Sequence, residues 1–398
     1  MKFSIAKKSK LVARKWLNLK SKADEFYADD IFEGRLLRKT EYGTPVRVEP
    51  YASQGTGLQN ISYDNFIFVG TWNLGGITPH NELNLDDWLN ASCPADIYVL
   101  GFQEIVPLNA GNIFGVEDSG PATKWLALIR QTLNSSSFST FSLDGPKETS
   151  ESNYCLVASK QMVGMFLCVW VRSDLRQHVR DLKVSCVGRG LMGYLGKKGS
   201  ISISMSFQGT SFCFVCSHLT SGEKGCDMIR RNYDVMEILK RTHFPQMDKI
   251  LGKKTSESIL EHDRVIWLGD LNYRLALLFC NTKILVERND WEALLEKDQL
   301  LIEKKTGHIF EGWNEGNIYF PPTYKYCRNS DHYAGENIVS RTKGRTPAWC
   351  DRILWYGKGL RQLCYVCGES KFSDHRPVYS IFMAEIKLPS ESSFRALS

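Results

Sequence analysis

Short apolar runs that end in a polar residue recur along the chain, and they point to a sheet-rich fold. Phe66-Ile-Phe-Val-Gly-Thr-Trp-Asn73, Ala95-Asp-Ile-Tyr-Val-Leu-Gly-Phe-Gln-Glu104 and Val265-Ile-Trp-Leu-Gly-Asp270 are the clearest. Such runs are short for a buried helix and rich in branched and aromatic side chains, so they read as buried strands. Further strands are expected at 154–159, 164–172, 181–187, 199–207, 211–218, 352–356, 362–367 and 377–386. Helical spacing is found at 120–133, at about 227–242 with Met228, Val235, Ile238 and Leu239 inward, and in short pieces within 282–304. Many strands with a few helices between them favour a layered α/β or α+β body, and no repeat of solenoid period is present.

The polar residues at the strand exits carry the chemistry. In Trp267-Leu-Gly-Asp-Leu-Asn-Tyr-Arg274, the residues Asp270, Asn272 and Arg274 fall at every second position. If extended backbone continues past the glycine, their side chains point one way. The aspartate can then take a proton from water, the amide can hold an oxygen, and the guanidinium can bind a phosphate. The bland alternative is a turn closed by an Asp–Arg pair. Asn73, Glu104, His218 and the pair Asp374-His375 end other runs in the same way. A lone carboxylate at a strand end is usually a turn residue, but five such exits in one chain suggest one site. Oxygen donors of this kind suit Mg²⁺, which shares its shell with water and substrate phosphate. Glu104 is the first choice of ligand, with Asn73 beside it and Asp374 in support.

Cations are supplied by three stretches. Val187-Gly-Arg-Gly-Leu-Met-Gly-Tyr-Leu-Gly-Lys-Lys-Gly199 has five glycines, which let backbone approach a ligand. Arg189, Tyr194, Lys197 and Lys198 can all contact phosphate there, although the pattern is not a Walker loop. Pro321-Pro-Thr-Tyr-Lys-Tyr326 adds Tyr324, Lys325 and Tyr326, and Arg345-Thr-Pro-Ala-Trp-Cys-Asp-Arg352 adds Asp351 and Arg352. Ordinary surface lysines on a hairpin are the plain alternative for the first loop. Two CxxC pairs, Cys213/Cys216 and Cys364/Cys367, lie in alternating runs where i and i+3 face opposite sides, which disfavours zinc. The scattered cysteines fit reduced thiols in the cytosol or nucleus.

The net charge of +6 resides in the N-terminus, because residues 1–22 hold eight Lys or Arg and no acid, leaving about −2 (six minus eight) for the rest. Ile5, Val12, Trp16 and Leu19 would share one face of a helix there. Such a segment suits an anionic membrane surface, a partner helix or nuclear import, or it is simply a solvated tail. No apolar h-region follows it and no run is long enough to span a membrane. The expected division is a tail and linker over 1–62, a folded domain over 63–390 and a short tail over 391–398. A cytoplasmic protein that can touch membranes peripherally is the expected setting, with the nucleus also open.

Taken together, TWNLGG, FQE, the glycine loop with Lys198-Gly199, SHL, WLGDLNYR, PPTYKY, RTPAWCDRILW and FSDHRPV resemble, in order, the inositol polyphosphate 5-phosphatases. The similarity spans roughly residues 63–386 and is greatest to plant type I members. This family lies within the endonuclease/exonuclease/phosphatase superfamily. The resemblance implies a four-layered α/β sandwich of two packed mixed sheets flanked by helices. It also implies Mg²⁺-dependent removal of the 5-phosphate from inositol polyphosphates or phosphoinositide head groups. On matching positions, Glu104 and Asn73 would hold the metal, Asp270 would activate water, and Asn272 would steady the phosphoryl oxygens. Asp351 would orient His375, and His218 and His375 would contact the scissile phosphate. Lys198, Tyr194, Arg274, Tyr324 and Lys325 resemble residues that grip neighbouring phosphates. Lys197 departs from the family pattern, which usually has Asn there. A nuclease of the same superfamily is the competing enzyme, but nucleic acid is not the expected partner because the body is near neutral. A phosphoinositide-binding scaffold would be expected to lack some of these groups.

Overall fold

Twelve strands form among the described residues and assort into two six-stranded sheets. The structure is a computed structural model and describes residues 62–80, 82–89, 94–108, 117–135, 153–189, 198–246, 255–335 and 345–387. The basic segment with Ile5, Val12, Trp16 and Leu19, the linker up to residue 61, Tyr194, Lys197 and residues 391–398 lie outside them. The first sheet uses β1 (Ser62–Asn73), β2 (Ile97–Gln103), β3 (Tyr154–Met162), β4 (Met165–Arg172), β11 (Leu360–Cys367) and β12 (Val378–Lys387). Its order is β11-β12-β1-β2-β4-β3. The second uses β5 (Val179–Gly188), β6 (Gly199–Phe207), β7 (Thr210–His218), β8 (Arg264–Asp270), β9 (Asn314–Glu315) and β10 (Asp351–Tyr356). Its order is β5-β6-β7-β8-β10-β9. One pair in each sheet is parallel: β1 beside β2, and β7 beside β8. The sheets are therefore mixed, as the resemblance implied.

Alternation along each strand divides the apolar residues between two faces. Ile67, Val69, Ile97 and Val99 of the first sheet meet Phe214, Cys216, Ile266, Leu268 and Ile353 of the second in a core between the sheets. On the outer face of the first sheet, Phe68, Tyr98 and Phe102 pack against Trp125, Ile129 and Leu133 of a helix over Gly120–Leu133. On the outer face of the second, Val215, Val265 and Trp267 pack against Val235 and Ile238 of a helix over Gly225–Arg241. Helix, sheet, sheet and helix make four layers. Met228 and Leu239, expected inward, are only partly buried against that last cluster. Short helices at Phe279–Glu287, Trp291–Leu295 and Gln299–Lys305 fill the stretch expected to be helical, and Asp290 and Asp298 cap the last two.

Both CxxC pairs divide across their sheets. Cys213 faces the outer helix while Cys216 faces the inter-sheet core, and Cys364 and Cys367 separate likewise. The described cysteines are free thiols.

Gly101 marks the closest approach of the sheets near the polar end of the core. A Cβ there would lie 2.8 Å from both Cys216 Sγ and Leu268 Cδ1. Gly101→Ala should therefore destabilise the fold by about 1–3 kcal/mol through overpacking. Denaturant titration checks this, and an unchanged midpoint would mean that the sheets have room to spare.

Candidate active site

Strand direction and alternation bring the polar exits together. Asp270 continues the inward face of Ile266 and Leu268, His218 that of Phe214 and Cys216, and Asn73 that of Ile67 and Val69. The parallel pairs run the same way, so these residues emerge at strand ends beside one another, with His218 paired in register to Asp270. Strand β10 runs antiparallel to β8 and begins with Asp351, opposite Asp270. His375 lies just before β12. The apolar core thus ends in a polar layer.

Asp270 is the most heavily engaged group of that layer. It is 2 % exposed. Its Oδ2 accepts from Asn73 Nδ2 at 2.9 Å and lies 3.1 Å from His218 Nε2. Its Oδ1 accepts the Asn272 backbone N–H at 3.0 Å. Burial opposes ionisation, but His218, His375 and Lys198 outweigh it and hold Asp270 below the usual carboxylate range. Asn73 is oriented for its bond to Asp270, because its Oδ1 accepts the Gly75 N–H.

His375 and Asp351 form a second buried pair, Nδ1 to Oδ2, at 2.9 Å. Thr323 Oγ1 donates to the same carboxylate oxygen at 2.7 Å. Burial alone would favour neutral imidazole, but Asp351, with Asp270 and Asp374, pushes His375 up to about 9. His218 is pushed down by burial and by Lys198, whose Nζ contacts His218 Nε2. Burial also brings the Lys198 ammonium down to about 8, against the pull of Asp270 and Glu104. The two imidazoles are thus shifted in opposite directions.

The backbone departs from the extended course expected after Gly269. Gly269 has φ +145°, and a Cβ there would lie 2.0 Å from the Ser217 carbonyl oxygen. Asn272 is left-handed, with φ 57°. A turn closed by the Asp270 side chain replaces the strand. The three side chains converge even so, since Arg274 Nη2 donates to Asn272 Oδ1 at 2.6 Å and Asn272 Nδ2 donates to Leu219 O. Arg274 lies over the Tyr324 ring, 4.5 Å from its centroid, and that ring lies 4.4 Å from the His375 ring. Arg274 is 5 % exposed, and its Nη1 is buried without a partner.

These groups surround a cavity of about 240 Å³. Asn73, Glu104, Asp270, Asn272 and Asp374 contribute oxygen donors or acceptors to its wall. Lys198, Arg274, Lys325, Tyr324 and the two histidines line the rest. Asp351 stands behind His375, outside the lining. Asp374 pairs with Lys325 at 2.8 Å, so its charge is already shared. Ser221, Gly222 and Arg345 also line the cavity and were not singled out from the sequence. Arg345 opens the RTPAWCD motif, so its place could have been inferred from its neighbours. Ser221 and Gly222 carry no comparable signal.

Three expectations are corrected. Arg352 does not reach the cavity: alternation on β10 turns it to the face opposite Asp351. There it is 0 % exposed and bonds Asp298 at 2.9 Å and Glu315 at 2.6 and 2.8 Å. Arg189 is likewise engaged by Asp234 at 2.8 Å rather than offered to a phosphate. Tyr326 is also away from the cavity, buried against Tyr333 and Arg376.

The donor set fits a hard divalent cation. The Glu104 carboxylate receives no hydrogen bond among the described residues, and its nearest charged neighbour is His218 Nε2 at 3.8 Å. It is left-handed at φ 54°, which turns the chain at the strand exit. Glu104 offers a carboxylate, with Asn73 and Asp374 on the same cavity wall, and oxygen donors of this kind are what a hard divalent cation takes.

Residues 70–381 match the Endonuclease/Exonuclease/phosphatase family 2, so fold and site define a member of that class. Type I inositol polyphosphate 5-phosphatase 8 of Arabidopsis thaliana is 53 % identical, over 96 % of this chain and 87 % of the relative. Type I inositol polyphosphate 5-phosphatase 4 from the same plant is 47 % identical, over 98 % and 93 %. The inositol polyphosphate 5-phosphatase domain of SPsynaptojanin, solved with inositol (1,4)-bisphosphate and calcium ion, superposes with a TM-score of 0.70. It shares 31 % identity and is matched over 84 % of this chain and 89 % of that domain. The chain belongs to the inositol polyphosphate 5-phosphatases.

The position of Arg352 has a measurable consequence. Arg352→Met strips a buried charge from Asp298 and Glu315 and should cost about 3–5 kcal/mol of stability. The folded fraction should keep its KM. A raised KM with unchanged thermal stability would instead put Arg352 at the substrate.

Proposed function

We propose that this chain hydrolyses the 5-phosphate of inositol polyphosphates, and of phosphoinositide head groups, by direct attack of water with Mg²⁺ bound at Glu104. The observation that carries this is the cavity itself: a base-type carboxylate, two histidines and Arg274 line one small space with Lys198, Lys325 and Arg345 around it. Phosphoryl transfer needs positioning and charge neutralisation more than covalent help from the protein, and those groups supply both. The names of the relatives, and the inositol bisphosphate in the SPsynaptojanin complex, support the same substrate class.

In the proposed reaction, Asp270 takes a proton from water as the water oxygen bonds to phosphorus. The bond from phosphorus to the ring oxygen breaks, and that oxygen leaves with the electron pair and takes up a proton. Lys198, His218 and cationic His375 face the scissile phosphate and offset its growing charge. The same groups depress Asp270 in the resting site. A phosphate seated among them competes for their charge and so restores proton affinity to Asp270. Asn272, held by Arg274, steadies a phosphoryl oxygen, and Arg274, Lys325 and Arg345 bind the other ring phosphates. Mg²⁺, held by Glu104 with Asn73 and supported by Asp374, would supply Lewis-acid neutralisation of phosphate charge.

The basic N-terminal segment is proposed to bring the domain, working in the cytoplasm, to anionic membranes. It governs access to lipid and not the chemistry.

A phosphate-release panel tests these points together, over soluble inositol trisphosphate, phosphoinositide vesicles and DNA, with and without Mg²⁺. Release from the inositol substrates should require Mg²⁺, and DNA should not be cut. Asp270→Ala should lose at least about 100-fold in kcat while remaining folded. Removing residues 1–22 should reduce release from vesicles more than from the soluble substrate. Cleavage of DNA in preference to inositol phosphates would overturn the substrate, near-normal turnover by Asp270→Ala would overturn its role, and equal effects of the truncation would remove the membrane role.

A further inference from the structure

Besides its inward apolar residues, helix Gly225–Arg241 carries three buried polar residues over about two turns, Asp227, Arg231 and Asp234. Arg231 is the most confined of them, at 0 % exposure. Its Nη1 donates to the carbonyls of Thr220 at 3.2 Å and Gly222 at 3.0 Å. Its Nη2 donates to Gln299 Oε1 at 2.7 Å. That same oxygen accepts the Arg274 backbone N–H at 3.0 Å, while the Gln299 N–H donates to the Arg274 carbonyl at 2.9 Å. One guanidinium therefore joins the segment that leaves β7 to the segment that leaves β8.

Both segments end at the cavity. Gly222 and Ser221 line its rim, and Arg274 lines its wall while its Nη2 grips Asn272 Oδ1. A neighbour on the helix works on the same region: Asp234 accepts from the Thr220 N–H and hydroxyl and pairs with Arg189 at the base of the glycine-rich loop. A fully buried cation bonded to one such segment directly and to the other through Gln299 is expensive to keep, since burying charge without several good partners is unfavourable. Packing alone would be met by an aliphatic side chain, so the location of its bonds points to alignment of the site.

We infer that Arg231 is a positioning residue for the phosphohydrolase site, acting through Gln299 on Arg274 and Asn272 and directly on the Thr220–Gly222 rim. It touches no reacting atom. A lysine at this position keeps the charge but cannot hold the rim carbonyls and Gln299 at once, because the ammonium is a single point and the guanidinium a planar fork. Small misplacements of this kind lower kcat strongly even when binding survives. This role rests on the activity proposed above.

The test compares Arg231→Lys, Gln299→Met and the double variant with wild type, on soluble inositol trisphosphate at saturating Mg²⁺ and well below every Tm. Arg264→Lys is the control. Arg264 is also a buried arginine, but it lies at the far end of β8 and bonds the Asp263 and Glu385 carbonyls. Arg231→Lys should lose about 10-fold or more in kcat, with a smaller change in KM. The double variant should lose no more than the worse single one, because both act along one path. Arg264→Lys should lose stability and keep kcat. Full kcat in Arg231→Lys, equal losses in both arginine variants, or additive losses in the double variant would each overturn the role of Arg231. An inactive wild type would instead overturn the proposed function and leave the structural linkage to be read from Tm.

Discussion

A buried carboxylate at the end of an apolar core is the constraint around which this structure is built. Asp270 is almost wholly enclosed, so most of its charge has to be met by protein groups. Asn73 comes from the first sheet, His218 from the neighbouring strand and the Asn272 amide from its own turn. Asn73 could not reach it unless the parallel pairs β1–β2 and β7–β8 opened toward the same edge of the sandwich. The layer arrangement and the chemistry are therefore linked: the sheets that bury Ile266 and Leu268 also deliver Asp270.

The buried arginines show how one residue type serves different ends. Arg352 neutralises Asp298 and Glu315 and ties β9 and β10 to a helix cap. Arg231 spans backbone carbonyls and an amide with no carboxylate bonded to it. Arg274 holds Asn272 and lines the cavity over the Tyr324 ring. Burial does not separate these roles, but their partners do. A larger cavity of about 480 Å³ near Arg189 and Tyr233 makes the same point about volume. Its carboxylate, Asp234, is fully engaged by Arg189 and Thr220, and its lining holds neither a histidine nor a second carboxylate.

Much of the fold was legible from the sequence because period-two alternation is a local signal. The runs ending in Asn73, Glu104, His218 and Asp270 all lead into the cavity wall, and the helix over Gly120–Leu133 falls where periodicity put it. The two-residue strand Asn314–Glu315 is too short to carry such a signal. Arg352 was misplaced although the same alternation, applied to Asp351 and Ile353, would have turned it outward. Arg231 was missed for a different reason: a polar residue on a helix looks solvated until the loops beneath it are known. The turn at Asn272 stood as one of two alternatives that the sequence left open, and the left-handed Asn272 with its N–H on Asp270 decides between them.

The central claim is that a phosphate on an inositol ring is held between Asp270, His375 and Lys198. A crystal structure with an inositol polyphosphate bound measures this most directly. The account predicts a phosphorus atom within about 3.5 Å of a water held by Asp270, with its oxygens on His375 and Lys198. A ring seated instead in the larger cavity beside Arg189 and Tyr233, with no phosphate near Asp270, would contradict it.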